Sequence, residues 1–321
     1  MDENNYFFQE PSFIHKMITI VCEANEILRN ERTPQMKIDE KIDSNGRKSK
    51  VTSGDIKSNT FIIAKLQEIN EKLKRESIGF YNIVSEENAE VSFEERTHSH
   101  IDGTWFVDPL DGTADYCNFD LEVPCYTVNI GLVMKGDPVF GIFSVPETGV
   151  IYYGIKSIGS FKISNEKHLT YMNMDTNGNI CNSDSPVRDN RASIIAQSTF
   201  PGKSLRVKKD KDFTQSGIRV ATSASHMNEK TEAFINKWLA SDVTHHSFAS
   251  SLKLGAVADG TVDIYPRCGP TSEWDTCAAD AVVRFAGGGV YIYDEETPPG
   301  EYREMLKYNK KCLLNPSFIV L

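Results

Sequence analysis

The chain has 321 residues, 40% hydrophobic and 25% charged, which suffices for one large core or two packed halves and excludes global disorder. Its net charge of −10 argues against a protein that tracks a polymeric phosphate backbone, whereas divalent cations can invert the local charge and admit a small anion. The acidic opening MDENNYFFQE has no basic-then-apolar leader, and there is no apolar run of about 18 residues, so neither a signal peptide nor a membrane span is expected. Seven scattered cysteines form no CxxC pair, which favours a reducing cytoplasm over a zinc site or a disulfide framework.

In chain order, Phe13, Ile14, Met17, Ile18, Val21 and Leu28 recur at helical spacing and predict an amphipathic helix over 13–28. Residues 31–50 are polar, carry the turn signal Asp43-Ser44-Asn45-Gly46, and read as a flexible loop. A second helix follows Asp55, with Phe61, Ile62, Leu66, Ile69 and Leu73 inward. Short strands over 81–84 and 105–107 end at Ser85-Glu86-Glu87 and at Asp108-Pro109. Residues 125–134, 138–145, 150–154 and 158–163 then read as an antiparallel meander punctuated by Gly136-Asp137 and Glu147-Thr148-Gly149. A polar linker or insertion is expected over 172–191, and the charge run 208–212 reads as a solvated loop. Strands over 193–197, 218–223 and 261–265 alternate with helices over 229–239, 250–258 and 274–286, and Gly287-Gly288-Gly289 stops the last helix. The fold class is therefore α+β, an antiparallel-sheet half (1–165) followed by a mixed half (166–321). His98, His100 and the pair His245-His246 read as surface or structural residues, and Cys277 as a small packing residue.

Four segments place carboxylates where elements begin or end: Asp55, Glu86-Glu87, Asp108 with Asp111, and Asp275. In Asp108-Pro109-Leu110-Asp111-Gly112-Thr113, a tight turn held by Pro109 and Gly112 would aim both aspartates at one point. Hard carboxylate oxygens suit Mg²⁺, and two such ions close together can stabilise both the attacking and the leaving oxygen of an in-line displacement. Taken singly, Asp55 and Asp275 read as helix caps and Glu86-Glu87 as a surface pair; it is their joint occurrence in this order that points to a site.

Trp105 to Thr113 and Trp274-Asp275-Thr276-Cys277-Ala278-Ala279 resemble the two signature segments of the inositol-monophosphatase superfamily of lithium-sensitive, magnesium-dependent phosphatases. Tyr126 to Ile130, Ser250 to Lys253, Tyr265 to Thr271 and Leu313-Leu314-Asn315-Pro316 are similar to its bacterial 3′(2′),5′-bisphosphate nucleotidases. The resemblance implies an αβαβα layered sandwich of the inositol-monophosphatase and fructose-bisphosphatase type. It implies metal ligation by Glu86, Asp108, the Leu110 carbonyl, Asp111 and Asp275, holding two or three Mg²⁺ ions, with catalysis by Glu86, Asp55 and Thr113. Thr113 with Asp55 would orient and deprotonate the attacking water, and the N–H groups of Gly112 and Thr113 would cradle phosphate. The chain departs from the family at Gly54, Ala114 and Ala224, where alanine, a basic residue and arginine are usual.

The expected activity is removal of the 3′-phosphate of adenosine 3′,5′-bisphosphate, with Ser250, Ser251, Lys253 and Arg267, together with Gly112, Thr113 and Asp275, meeting the substrate. The alternatives are an inositol or sugar phosphatase on the same metals, and a non-catalytic nucleotide-binding protein. A small phosphorylated metabolite is the expected partner of a cytoplasmic monomer or homodimer, with no polymeric nucleic acid and no integral membrane segment.

Overall fold

The computed structural model describes residues 6–42, 48–88, 91–122, 124–164, 200–208, 211–223, 228–302 and 304–321. The turn signal at 43–46, the polar segment 172–191, the strand expected at 193–197, Lys209-Asp210, Ala224 and His226 lie outside the described residues.

Helix α1 (Pro11–Glu31) opens with proline at its first turn, where a missing N–H is harmless, and buries the stripe from Phe13 to Leu28. Helix α2 (Ser53–Arg75) buries Ile62, Leu66, Ile69 and Leu73. Between them the chain is a hairpin, β1 (Ile38–Ile42) and β2 (Lys48–Thr52), rather than the loop expected over 31–50. Its described residues are largely exposed, so no apolar alternation marks it, and opposite charges such as Glu40 and Lys50 face each other across the pair.

A seven-stranded sheet follows in chain order: β3 (Tyr81–Ser85), β4 (Gly103–Asp111), β5 (Thr127–Met134), β6 (Asp137–Val145), β7 (Val150–Ile155), β8 (Gly159–Ile163) and β9 (Lys203–Ser204). Strands β3 and β4 are parallel and every later pair is antiparallel, the meander that the alternation predicts. Lys135 and Gly136 (φ 53° and 81°) both take the left-handed conformation that a two-residue hairpin turn needs. Two four-residue helices, α3 (Phe93–Arg96) and α4 (Thr113–Tyr116), flank β4.

The second half carries β10 (Arg219–Ser223), α5 (Glu229–Trp238), β11 (Thr244–Phe248), α6 (Leu252–Ala258), β12 (Tyr265–Arg267), β13 (Thr271–Ser272), α7 (Glu273–Phe285), β14 (Val290–Ile292), β15 (Leu314–Asn315) and β16 (Phe318–Val320). Strands β10 and β11 pair in parallel, β12, β16 and β14 form an antiparallel trio, and Val220 bridges to Ile264. The strand expected at 261–265 begins only at Tyr265, because Asp259 takes both the N–H and the hydroxyl of Thr261 into a local turn. His245 and His246 lie within β11. Gly287 (φ 97°) ends α7, as the triple glycine predicts.

Along β5, Val128, Ile130 and Leu132 pack with α1 and α2, while Val133 packs on the opposite face with α7. Gly131, Gly141 and Gly154 stand side by side across β5, β6 and β7. A Cβ on Gly141 would lie 2.2 Å from the Ala278 carbonyl oxygen, and one on Gly154 would lie 2.6 Å from that of Ala281. These glycines, meeting the alanines of α7, seat the helix directly on the sheet, and Ser160 Oγ fastens it at Val282 O (2.7 Å). Beyond α6 and α7 come the smaller sheets, and then α5, whose Phe234 and Ile235 pack with Val220 and Ile264. The layers run αβαβα. No helix among the described residues is long and apolar enough to cross a membrane.

Candidate active site

The parallel pair β3–β4 brings two chain ends to one edge of the large sheet. Ser85 pairs with Val107, so Glu86 and Asp108 emerge together, and Glu86 N–H donates to Val107 O (3.1 Å). The segment Asp108 to Asp111 is the bulged end of β4, not the free-standing tight turn expected from Pro109. Asp108 pairs with Asn129 and Asp111 with Thr127, so β4 has one residue more than β5 between these pairs. A bulge tolerates proline, which lacks a ladder donor, and it re-aims the carboxylates of its strand. Leu110 N–H donates to Asp108 Oδ1 (3.0 Å), and Pro109 O accepts from Ser58 Oγ (2.9 Å). Gly112, at φ 97°, turns the chain into α4, and a Cβ there would lie 2.6 Å from Ser250 Oγ.

Two helices point at this edge with the same device. Asp55 is the third residue of α2 and reaches back to its cap, accepting from Thr52 N (2.7 Å) and Thr52 Oγ1 (2.6 Å). Asp275 is the third residue of α7 and accepts from Ser272 N (2.8 Å). Both are capping boxes with aspartate in place of the commoner glutamate. The other oxygen of Asp55 faces Thr113, whose hydroxyl lies 3.3 Å from Asp55 Oδ1 and 3.3 Å from Leu110 O. One proton cannot satisfy both, so the Thr113 hydroxyl is shared between them.

Glu86, Asp108, Asp111 and Asp275 form one electrostatic cluster. Burial pushes Asp108 well above the ordinary carboxylate range, and repulsion from Glu86, Asp111 and Asp275 adds to it. Asp275 is pushed up to about 8 by burial, then by Asp111 and Glu86. Burial also raises Glu86, opposed by Lys41. Four hard carboxylates, all raised by burial and with Asp108, Asp275 and Glu86 raised further by acidic neighbours, match the donor set of a Mg²⁺ site, where a divalent charge removes the repulsion. Among the described residues no three His, Cys, Asp or Glu side chains already stand in a closed metal-binding arrangement. Lys41 of the hairpin is ion-paired with Glu86 (2.9 Å) and Glu87 (2.5 Å).

A cleft of about 320 Å³ opens from Asp111 and Asp275 towards the second sheet. Gly112, Ser250, Lys253 and Arg267 line it, and Tyr265 and Phe318 add aromatic wall. Ser250 Oγ donates to Asp111 O (2.9 Å), and Ser251 Oγ to Asp275 O (3.3 Å), so both serines brace the backbone beneath the carboxylates. Burial pushes the Lys253 ammonium down to about 8, although Asp111 draws it upward. Lys253, Asn129 and Arg267 in turn hold Asp111 lower than its burial alone would.

Of the residues expected to meet substrate, Gly112, Ser250, Lys253, Arg267 and Asp275 line the cleft, whereas Ser251 is buried beneath Asp275 and does not, and Thr113 faces Asp55. Sequence reading missed Lys41, because an exposed hairpin leaves no pattern, and Asn129, whose nearness to Asp111 follows from strand register alone. Asp55 and Asp275 are not themselves the helix caps that the sequence allowed: Thr52 and Ser272 are the caps, and each aspartate sits at the third helical position and bonds back to its cap. His98 and His100 are exposed and take no part.

The model of the inositol monophosphatase family matches residues 12–319. The chain is 27% identical over 308 residues, 96% of this chain and 92% of that protein, to the 3′(2′),5′-bisphosphate nucleotidase CysQ of Haemophilus influenzae. It is 28% identical over 273 residues, 85% of each, to the enzyme of that name from Salmonella typhimurium. The crystal structure of CysQ from Bacteroides thetaiotaomicron, a bacterial member of the inositol monophosphatase family, superposes with a TM-score of 0.68 at 29% identity, covering 98% of both chains. With its layers in the order αβαβα and its carboxylates gathered at one sheet edge, the chain belongs to the inositol monophosphatase family.

Proposed function

We propose that this protein is a magnesium-dependent phosphomonoesterase that converts adenosine 3′,5′-bisphosphate to AMP and inorganic phosphate. The observation that carries the reading is the juxtaposition, across one cleft, of the carboxylate cluster with two cations, Lys253 and Arg267, and an aromatic wall. The likeness to proteins named 3′(2′),5′-bisphosphate nucleotidase supports the choice of substrate.

Glu86, Asp108, the Leu110 carbonyl, Asp111 and Asp275 are the groups that would hold Mg²⁺. When bound, Mg²⁺ supplies charge neutralisation on the phosphoryl oxygens and lowers the pKa of water. The Thr113 hydroxyl, donating to Asp55, keeps its lone pairs for a water proton, so a proton passes from water to Thr113 and from Thr113 to Asp55 Oδ1. Burial raises Asp55, which makes it the better acceptor, and Thr52 fixes its other oxygen. The N–H groups of Gly112 and Thr113 would meet the phosphoryl oxygens. Arg267 offers a planar fork to a 5′-phosphate or a face to the base, and Lys253 offers a point charge.

Phosphate release from adenosine 3′,5′-bisphosphate, inositol 1-phosphate and a sugar phosphate, each with Mg²⁺ and with EDTA, tests the reading. The expected result is metal-dependent release with the highest kcat/KM for the nucleotide. Preference for inositol 1-phosphate would move the assignment to that substrate, and nucleotide binding without turnover would mark a non-catalytic binding protein.

A further inference from the structure

Besides the Phe318 ring in the cleft wall, the C-terminal tail grips the start of α7. Strand β15 pairs with β13, placing Asn315 opposite Thr271 and Leu314 opposite Ser272. Glu273 N–H donates to Leu313 O (2.9 Å), while the buried Glu273 carboxylate accepts from Asn309 N (2.5 Å), Lys310 N (2.9 Å) and Lys310 Nζ (2.6 Å). Leu313 is held at φ 54°, a conformation that bulky side chains avoid.

Asn315 is the centre of this collar and is 7% exposed. Its Nδ2 donates to Ser272 O (2.8 Å) and Thr276 Oγ1 (2.9 Å), with Thr271 Oγ1 at 3.2 Å, and its Oδ1 accepts from Lys310 Nζ (3.1 Å). Ser272 is the cap of α7 and Thr276 follows Asp275. One amide therefore spans the helix start on both sides of Asp275, whose Oδ2 is already bound to Ser272 N. If the Ser272 backbone shifts, the carboxylate it holds shifts with it.

We propose that Asn315 is a positioning residue for Asp275, its amide fixing the first turn of α7 so that this carboxylate meets a divalent cation in register with Asp108 and Asp111. The inference rests on the metal-dependent reading of the site. Groups hydrogen-bonded directly to a metal ligand generally contribute about 10- to 100-fold to metal affinity. Ser272 is that group for Asp275, and Asn315 acts one bond further out by holding Ser272 O, so the lower end of that range applies to it. A residue that merely anchors the tail would instead change the stability of the metal-free fold and leave that affinity alone.

The test is calorimetric titration of Mg²⁺ into the full-length wild type, Asn315→Ala and the nearly isosteric Asn315→Leu, with melting temperatures taken in EDTA and circular dichroism as the check on folding. The expected result is weakening of Mg²⁺ binding by about 10-fold in both folded variants, with a correspondingly smaller rise in melting temperature on adding Mg²⁺. Wild-type Mg²⁺ affinity in a folded variant, whatever its melting temperature in EDTA, overturns the inference and leaves the metal reading standing. Failure of both variants to fold overturns it as well, because it marks Asn315 as a tail anchor. No Mg²⁺ binding by the wild type overturns the metal reading and the inference together.

Discussion

Asp108 is buried beside three carboxylates, and each raises its pKa. Asn at this position keeps an oxygen for the Leu110 N–H and removes one of four crowded charges. Asp108→Asn should therefore melt no lower than wild type in EDTA, yet lose at least about 10²-fold in kcat, the pattern of a site that trades stability for function. Asp275→Asn should show a similar loss of rate, while Glu94→Gln, on an exposed surface, should leave the rate near wild type. Steady-state rates beside thermal melts check all three, and a near-wild-type rate for Asp108→Asn would remove the metal reading. Thr113→Ala should lower kcat more than it weakens Mg²⁺ binding, because its hydroxyl faces Asp55 and the attacking water and is not itself among the groups that would hold the metal. Lys253 adds a pH signature. Its folded-state pKa of about 8 lies below the ordinary 10.5, so the unfolded chain binds the proton more readily. Lys253 thus costs stability below about 8, and that cost disappears as pH rises towards 10.5. Charge on Lys253 favours a phosphorylated substrate, so kcat/KM for the nucleotide should fall as pH rises through about 8. A pH–rate profile of Lys253→Arg, which stays charged, should lack that limb.

At the scale of elements, α7 matters most, because it carries Asp275 and lies on the glycine row of the large sheet. Gly141 has backbone, not a flexible side chain, in the way of any Cβ. Gly141→Ala should destabilise the fold by about 1–3 kcal/mol through overpacking. Urea unfolding measures it, and a change within error would show that α7 can lift from the sheet at no cost. Helix α2 and helix α7 solve the same problem with the same motif. Each needs a carboxylate aimed out of its first turn, and each fixes it to its own cap. The price of that precision is backbone geometry tied to one Thr and one Ser.

Across the whole molecule, the carboxylates come from β3, β4 and α7, so a cation shared among them would tie the large sheet to the central helix layer. Mg²⁺ should then raise the melting temperature, with the gain growing by RT ln(1 + [Mg²⁺]/Kd), about 4 kcal/mol at a thousandfold excess over Kd. EDTA should abolish phosphate release, and excess Ca²⁺ should inhibit, because its longer bonds and looser coordination relax the octahedral geometry. Full turnover after chelation would contradict the proposal. Differential scanning fluorimetry and phosphate release with each cation measure these effects.

Helices α1 and α2 and the meander were legible because their signals are local, a 3.6-residue stripe and a two-residue alternation, whereas Asp55 and Asp275 read as caps and proved to be third residues held by Thr52 and Ser272. The segment from Asp108 to Thr113 was legible as a site because it concentrates two carboxylates, a proline and a glycine, although its shape as a bulge was not. A bulge exists only relative to the neighbouring strand, and β5 supplies that neighbour through Asn129 and Thr127. Tertiary structure likewise decided that Lys41 meets Glu86 and that Lys253 faces Asp111. It decided too that Asn315 spans the start of α7. Such contacts join segments far apart in the chain, and their geometry exists only once the layers have packed, a property of the assembled fold rather than of any one stretch of residues.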